Sequence, residues 1–137
     1  MPFDPKRIAD TRAWLSKAAF DLRAAEYERG APVSLAADIA FHAQQAVEKV
    51  LKAFLTWHDR PFRKTHNLIE IGGQCAALDP ELESLLRHVA PLTEYAWKFR
   101  YPGEEEKPTH DAAEEAFAMA CEVYNAILDR LPKEVRP

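Results

Sequence analysis

Five residues able to handle an anion fall within seven positions: Tyr95, Trp97, Lys98, Arg100 and Tyr101. A guanidinium forks onto paired phosphate oxygens and an aromatic ring stacks on a base, so this combination suits nucleotide or polyphosphate recognition. Arg100 is followed by His110 with nine residues between them. An Arg and a His together can divide charge stabilisation and proton transfer on a phosphate ester. The structural alternative is that Trp97 buries in the core and Arg100 ends a helix, where the backbone dipole favours a cation.

Other chemistry finds less support. His66 and Glu70 stand four apart, with His58 and His110 as further nitrogen donors, but no His-Glu-x-x-His or comparable metal motif is present. Neither Ser34, Ser84, Cys75 nor Cys121 lies in a glycine-flanked nucleophile elbow, and Gly72-Gly73 is too little for a phosphate-cradling loop. The reading is therefore no metal and no cofactor. Gln45, Glu48, Lys49 and Lys52 recur at three- and four-residue intervals, which on a helix gives one polar side laced with Glu-to-Lys pairs.

The elements that position these residues read as helices. Ile8, Leu15 and Leu22, flanked by Trp14, Ala18 and Ala25, predict a helix from Ile8 to about Glu28, stopped by Gly30 and Pro32. A second is expected from about Ser34 to His58, with a buried stripe of Ala36, Ala40, Ala43, Val47, Val50, Leu51 and Phe54. Its opposite, solvated side carries His42, Gln45, Lys49 and Lys52. Phe41 and Leu55 lie off the stripe and would be exposed in a lone bundle, which predicts a homodimer. Pro61 breaks the pattern, and Asn67 caps a third helix through Leu68, Ile71 and Cys75 that Gly72-Gly73 weakens. Asp79-Pro80 starts a fourth helix containing Leu82, Leu85, Leu86 and Val89. Pro91 kinks or restarts it, and Leu92 to Phe99 continue until Arg100, ahead of Pro102. Asp111 with Glu114 resembles a capping box for a last helix, Ala112 to Leu131, whose apolar face is Phe117, Ala120, Cys121, Tyr124 and Leu128. No run alternates long enough to be a strand, so the fold is expected to be all-α.

Composition sets the bounds. A chain of 137 residues suggests one domain, 1–137, with its core over about 8–131. Hydrophobic residues at 47% and charged residues at 29% are ordinary for a globular chain. No apolar run reaches the roughly 18 residues that span a bilayer, and the N-terminal residues lack the apolar core of a signal peptide, which predicts a cytoplasmic protein with no membrane partner. Cys75 and Cys121 are read as free, mostly buried thiols. A net charge of -4 argues against whole-surface attraction to nucleic acid and leaves room for a local basic site.

The run FHAQQAVEKVLKAFL from Phe41 to Leu55, then Thr65-His66-Asn67-Leu68, then Tyr95 with Arg100-Tyr101-Pro102, closed by an Ala-rich helix, resembles the HEPN domain family, the higher eukaryote and prokaryote nucleotide-binding proteins. The similarity extends from the first helix to about Leu131. It implies an up-and-down bundle of about five helices, commonly a homodimer, often produced beside a minimal nucleotidyltransferase in two-gene modules that include toxin and antitoxin pairs. Carried over by position, Gln45, Glu48, Lys49, Lys52, His66, Tyr95, Arg100 and Tyr101 match the family's recurrent polar positions. Active members are metal-independent ribonucleases with an Arg followed after four to six residues by a His at a dimer interface. Here the gap to His110 is nine residues, it contains Pro102, Gly103 and Pro108, and Glu104 to Glu106 would repel a phosphate.

The resulting expectation is a non-catalytic or at most weakly catalytic partner of a separately encoded nucleotidyltransferase. It would bind a nucleotide or polyphosphate through Gln45, Lys49, Lys52, His66, Tyr95, Arg100 and Tyr101. The runner-up is an endoribonuclease toxin in which Arg100 acts with His110 or His66 on RNA. A plain helical scaffold without ligand is the third reading.

Overall fold

In a computed structural model describing residues 3–103 and 107–137, five α-helices and three short 3-10 segments make up the regular structure, with no strand among the described residues. Helix α1 spans Pro5–Arg29, α2 Ala36–Trp57, α3 Leu68–Leu78, α4 Glu83–Val89 and α5 His110–Leu128. The 3-10 segments are Pro80–Leu82, Ala90–Ala96 and Lys133–Val135. This is the expected all-α helical bundle.

Helix α2 forms its axis, packing chiefly on α1 and α5 and also on α3 and the 3-10 segment Ala90–Ala96. A helix surrounded in this way must be apolar over more than one stripe, and Leu51, Ala53, Phe54 and Leu55 are all buried. Leu55, expected to be exposed, faces the core, whereas Phe41 stays partly uncovered. Leu15 of α1, Ile71 of α3, Leu86 and Val89 of α4 and Val123 and Ile127 of α5 complete one core, which also takes in Leu131 and Val135. Helix α3 packs on α4 at Gly72, where a Cβ would sit 3.5 Å from that of Leu86, in ordinary van der Waals contact.

Helix ends follow local chemistry. Asn67 caps α3 as expected, its side chain accepting from the amides of Ile69 at 2.9 Å and Glu70 at 3.4 Å. Helix α1 begins three residues before Ile8 because Asp4 caps it and Pro5 fits its first turn. Helix α5 begins at His110, capped by Thr109, whose hydroxyl accepts from the Ala112 amide at 3.0 Å; the Asp111–Glu114 box is not the cap. Its buried face is Ala113, Ala116, Ala120, Val123 and Ile127. Of the expected face only Ala120 is buried, because the small side chains meet the bundle while Phe117, Tyr124 and Leu128 cover its flank.

The segment after Pro91 departs from the expected helix. Proline lacks the amide hydrogen and crowds the carbonyl four residues earlier, and the chain tightens into 3-10 geometry over Ala90–Ala96. Turns follow, with Phe99 at a φ of 69°. A bulky residue in the left-handed region is an outlier held by its surroundings. It reverses the chain so that Arg100 points back at α2.

Candidate phosphate-binding seam on the second helix

Asp38, Phe41, Gln45, Glu48 and Lys52 are spaced three, four, three and four apart, which lines them along one side of α2. Arg100 closes one end of this seam. Its guanidinium carbon lies 3.7 Å from the centroid of the Phe41 ring and Nη1 is 3.3 Å from Asp38 Oδ1. The Arg100 side chain remains 35% exposed and Asp38 is more exposed still. Ring and carboxylate thus aim the cation while leaving part of it open to an anion. It does not cap a helix, and Trp97 is exposed instead of buried in the core.

The other end is a buried polar cluster. Glu48 is 4% exposed and Lys52 7%. Glu48 Oε2 accepts from Lys52 Nζ at 2.9 Å, while Oε1 accepts from His66 Nδ1 at 2.6 Å and from Gln44 Nε2 at 3.3 Å. Gln44 also donates to the His66 carbonyl at 3.2 Å, fastening the loop between α2 and α3 onto the seam. Trp14 and Phe62 lie 5.5 and 5.7 Å from the Lys52 ammonium and roof it over. A buried charge must be paired, and this one is.

The expected solvated side of α2 is therefore corrected. Lys52 is enclosed, Lys49 reaches the buried Asp21 of α1 at 2.7 Å, and His42 meets Glu28 at 2.7 Å. These side chains are covered because α1 packs beside them, which periodicity within α2 does not reveal. Gln45 sits between the two ends, donating to Gln44 Oε1 at 2.7 Å.

Of the remaining candidates, Tyr101 is 70% exposed next to Arg100. Tyr95 faces a separate cleft of about 360 Å³ shared with His88, Leu92 and Met119, its ring 6.2 Å from that of Phe99. Burial, with help from Glu94, raises the Tyr95 phenol above its ordinary value, so it stays protonated. His110 lies 3.4 Å from Glu114, which also holds Arg29 at 2.7 Å. Arg100 and His110 thus hold different carboxylates on different helices. Glu104 to Glu106, expected to repel a phosphate, lie outside the described residues. His66 and Glu70 do not share a ligand either, Glu70 being taken by Arg63 at 2.8 Å. Among the described residues there is no group of three or more side chains that could hold a metal, and no helix is long and apolar enough to cross a membrane. A larger cleft, about 500 Å³ between α3 and α4, is lined by Ile69, Gly73, Leu86 and Ala90 and contains none of these candidates.

Asp38 and Gln44 were not singled out by sequence reasoning, and Phe41 was marked as an apolar residue off the stripe and not as part of a site. The three-and-four spacing of Asp38 and Phe41 with Gln45 was the available signal; nothing local marked Gln44.

The HEPN domain profile matches residues 11–131, nearly the whole bundle. The chain belongs to the HEPN domain family. No match was found among curated proteins or among solved structures. Membership makes this a helical domain of nucleotide-binding or ribonuclease type. In this HEPN chain the Arg100 end of the seam is open and the Glu48 end is enclosed apart from His66.

Proposed function

We propose that this HEPN chain binds a nucleotide or polyphosphate on the α2 seam, through Arg100 with Gln45, His66 and Tyr101, and acts as the helical partner of a separately encoded minimal nucleotidyltransferase. The observation that carries the binding reading is the guanidinium of Arg100, stacked on Phe41 yet held by a single exposed carboxylate at 3.3 Å. An exposed ion pair of this kind contributes about 0–1 kcal/mol, so a phosphate offering two oxygens to the guanidinium fork can displace it. Lys49 and Lys52, already paired with Asp21 and Glu48, supply background charge in this reading and not direct contacts. The nucleotidyltransferase partner and a two-gene, toxin–antitoxin-like module follow from the family resemblance. A homodimer fits the exposed Trp97 and Tyr101 beside Arg100. Sedimentation tests it: a monomer at micromolar concentration would remove it.

Calorimetric titration with ATP and with inorganic tripolyphosphate tests the binding site. Arg100→Ala should weaken binding about 10- to 100-fold, the loss expected for hydrogen bonds to a charged group, and Arg100→Lys should recover only part because it lacks the fork. Unchanged binding in Arg100→Ala refutes the assignment.

A further inference from the structure

Helix α1 is not polar on its outer side. Its inner side is the buried stripe of Leu15, Ala18 and Ala25, yet Ala13, Ser16, Phe20, Ala24 and Tyr27 recur at three- and four-residue intervals on the side turned away from it. Phe20 is 63% exposed and Tyr27 79%. A single exposed aromatic residue is ordinary. Here two stand seven residues apart on one line, about 10 Å along the axis, with small side chains before and between them. The result is a ridge about 21 Å long that a second helix can approach closely, laying its own side chains beside Ala24 between the two rings.

The unpaired charges beside this ridge are positive. Lys17 and Arg23 flank Phe20, and the carboxylates that helical spacing offers them are already taken. Asp21, four residues after Lys17, is held by Lys49 at 2.7 Å, and Glu26, three after Arg23, by Arg29 at 2.8 Å. Among the described residues neither Lys17 nor Arg23 has an ion-pair partner, on a chain whose net charge is -4. A second copy of the chain fits this surface poorly, because a two-fold contact sets the patch against itself and brings two Arg23 side chains together. Nucleic acid fits poorly too, since two cations neutralise few phosphates. A protein helix with an apolar seam and acidic borders satisfies both features: it buries the rings and pairs the cations at the rim.

We propose that the outer ridge of α1 docks a helical segment of a protein partner that carries apolar side chains bordered by Asp or Glu. Phe20 and Tyr27 are its anchors, and Lys17 and Arg23 its flanking contacts. None of these residues belongs to the α2 seam, and the inference does not rest on phosphate binding there.

The experiment titrates the full 15N-labelled chain with two synthetic helical peptides about 18 residues long, enough to cover the ridge. Both carry the same leucine seam, one bordered by Glu and the other by Lys. The expected result is binding of the Glu peptide, with backbone shifts centred on Phe20, Arg23 and Tyr27, and at least about 10-fold weaker binding of the Lys peptide. Phe20→Ser combined with Tyr27→Ser should lower the affinity for the Glu peptide at least about 10-fold, as expected for the loss of two aromatic anchors. The same variant should bind inorganic tripolyphosphate as the wild type does, which keeps a failure here distinct from a failure of the Arg100 site. Lys17→Glu combined with Arg23→Glu should reverse the preference between the peptides, and it decides the matter should the aromatic variant not fold by circular dichroism. Equal binding of both peptides, no binding, or shifts elsewhere on the surface overturns the inference. So does a ridge that responds to a single-stranded oligoribonucleotide and not to the Glu peptide, or a self-associating wild type that Phe20→Ser with Tyr27→Ser makes monomeric.

Discussion

Replacing Lys52 with Met tests whether the Glu48 end of the seam is enclosed as described. Methionine keeps an unbranched chain between Trp14 and Phe62 but removes the ammonium that lies 2.9 Å from Glu48 Oε2. Because the two side chains are 8% and 5% exposed, the orphaned carboxylate cannot recover its hydration. Breaking a buried pair from one side costs about 3–5 kcal/mol. His66, Gln44 and Gln45 still donate to Glu48, which favours the lower end, about 3 kcal/mol. For a domain of this size that corresponds to a fall in Tm of about 10 °C. Urea unfolding followed by circular dichroism gives the free energy, and an unchanged m-value would show that the same transition is being compared. The double variant with Glu48→Gln should lose less than the sum of the two single variants, since the removed groups are each other's partners. A loss below about 1 kcal/mol for Lys52→Met would refute the reasoning and return Lys52 to a solvated face.

Two further outcomes are expected. Burial pushes the Cys75 thiol up to about 12, so iodoacetamide at neutral pH should modify the half-buried Cys121 in the native protein and reach Cys75 only after unfolding; equal labelling would contradict its burial. The Arg130 hydrogen bond to Asp79, Nε to Oδ2 at 2.6 Å, holds that carboxyl below its ordinary value of 3.8. A depressed folded value contributes stability that is present above 3.8 and lost as pH falls through the folded value, so Arg130→Met should flatten the acid limb of the stability curve; an unchanged limb would exclude the pair as a contributor.

How far the sequence disclosed this arrangement depends on the range of each interaction. The α3 cap at Asn67 and the cap at Asp79 before Pro80 are local, and both were legible, although the chain opens there as the 3-10 segment Pro80–Leu82 and α4 follows only from Glu83. The same cap-and-proline signal at Asp4-Pro5 was present but overshadowed by the apolar pattern beginning at Ile8. In α5 two overlapping stripes compete, and the aromatic one drew attention although the alanine one packs, because close approach to the bundle rewards small side chains. Lys52 misled for a different reason. Its charge reads as solvent-facing within α2, whereas its cover comes from Trp14 of α1 and Phe62 of the following loop. Arg100 and His66 were recognisable as candidates by type, but their arrangement was not. It depends on Phe99 entering the left-handed region and on a hydrogen bond linking His66 to Glu48 across the intervening loop, and neither leaves a periodic trace.

The seam itself is tested most directly by an NMR titration of the 15N-labelled chain with a single-stranded oligoribonucleotide, following side-chain as well as backbone resonances. The account predicts that the Arg100 Nε–H, the Gln45 side-chain amide and the His66 ring shift together, with the backbone near Phe41, while Gly73 and Ile69 in the α3–α4 cleft stay in place. Shifts confined to that cleft, or to the surroundings of His110 and Glu114, would contradict it.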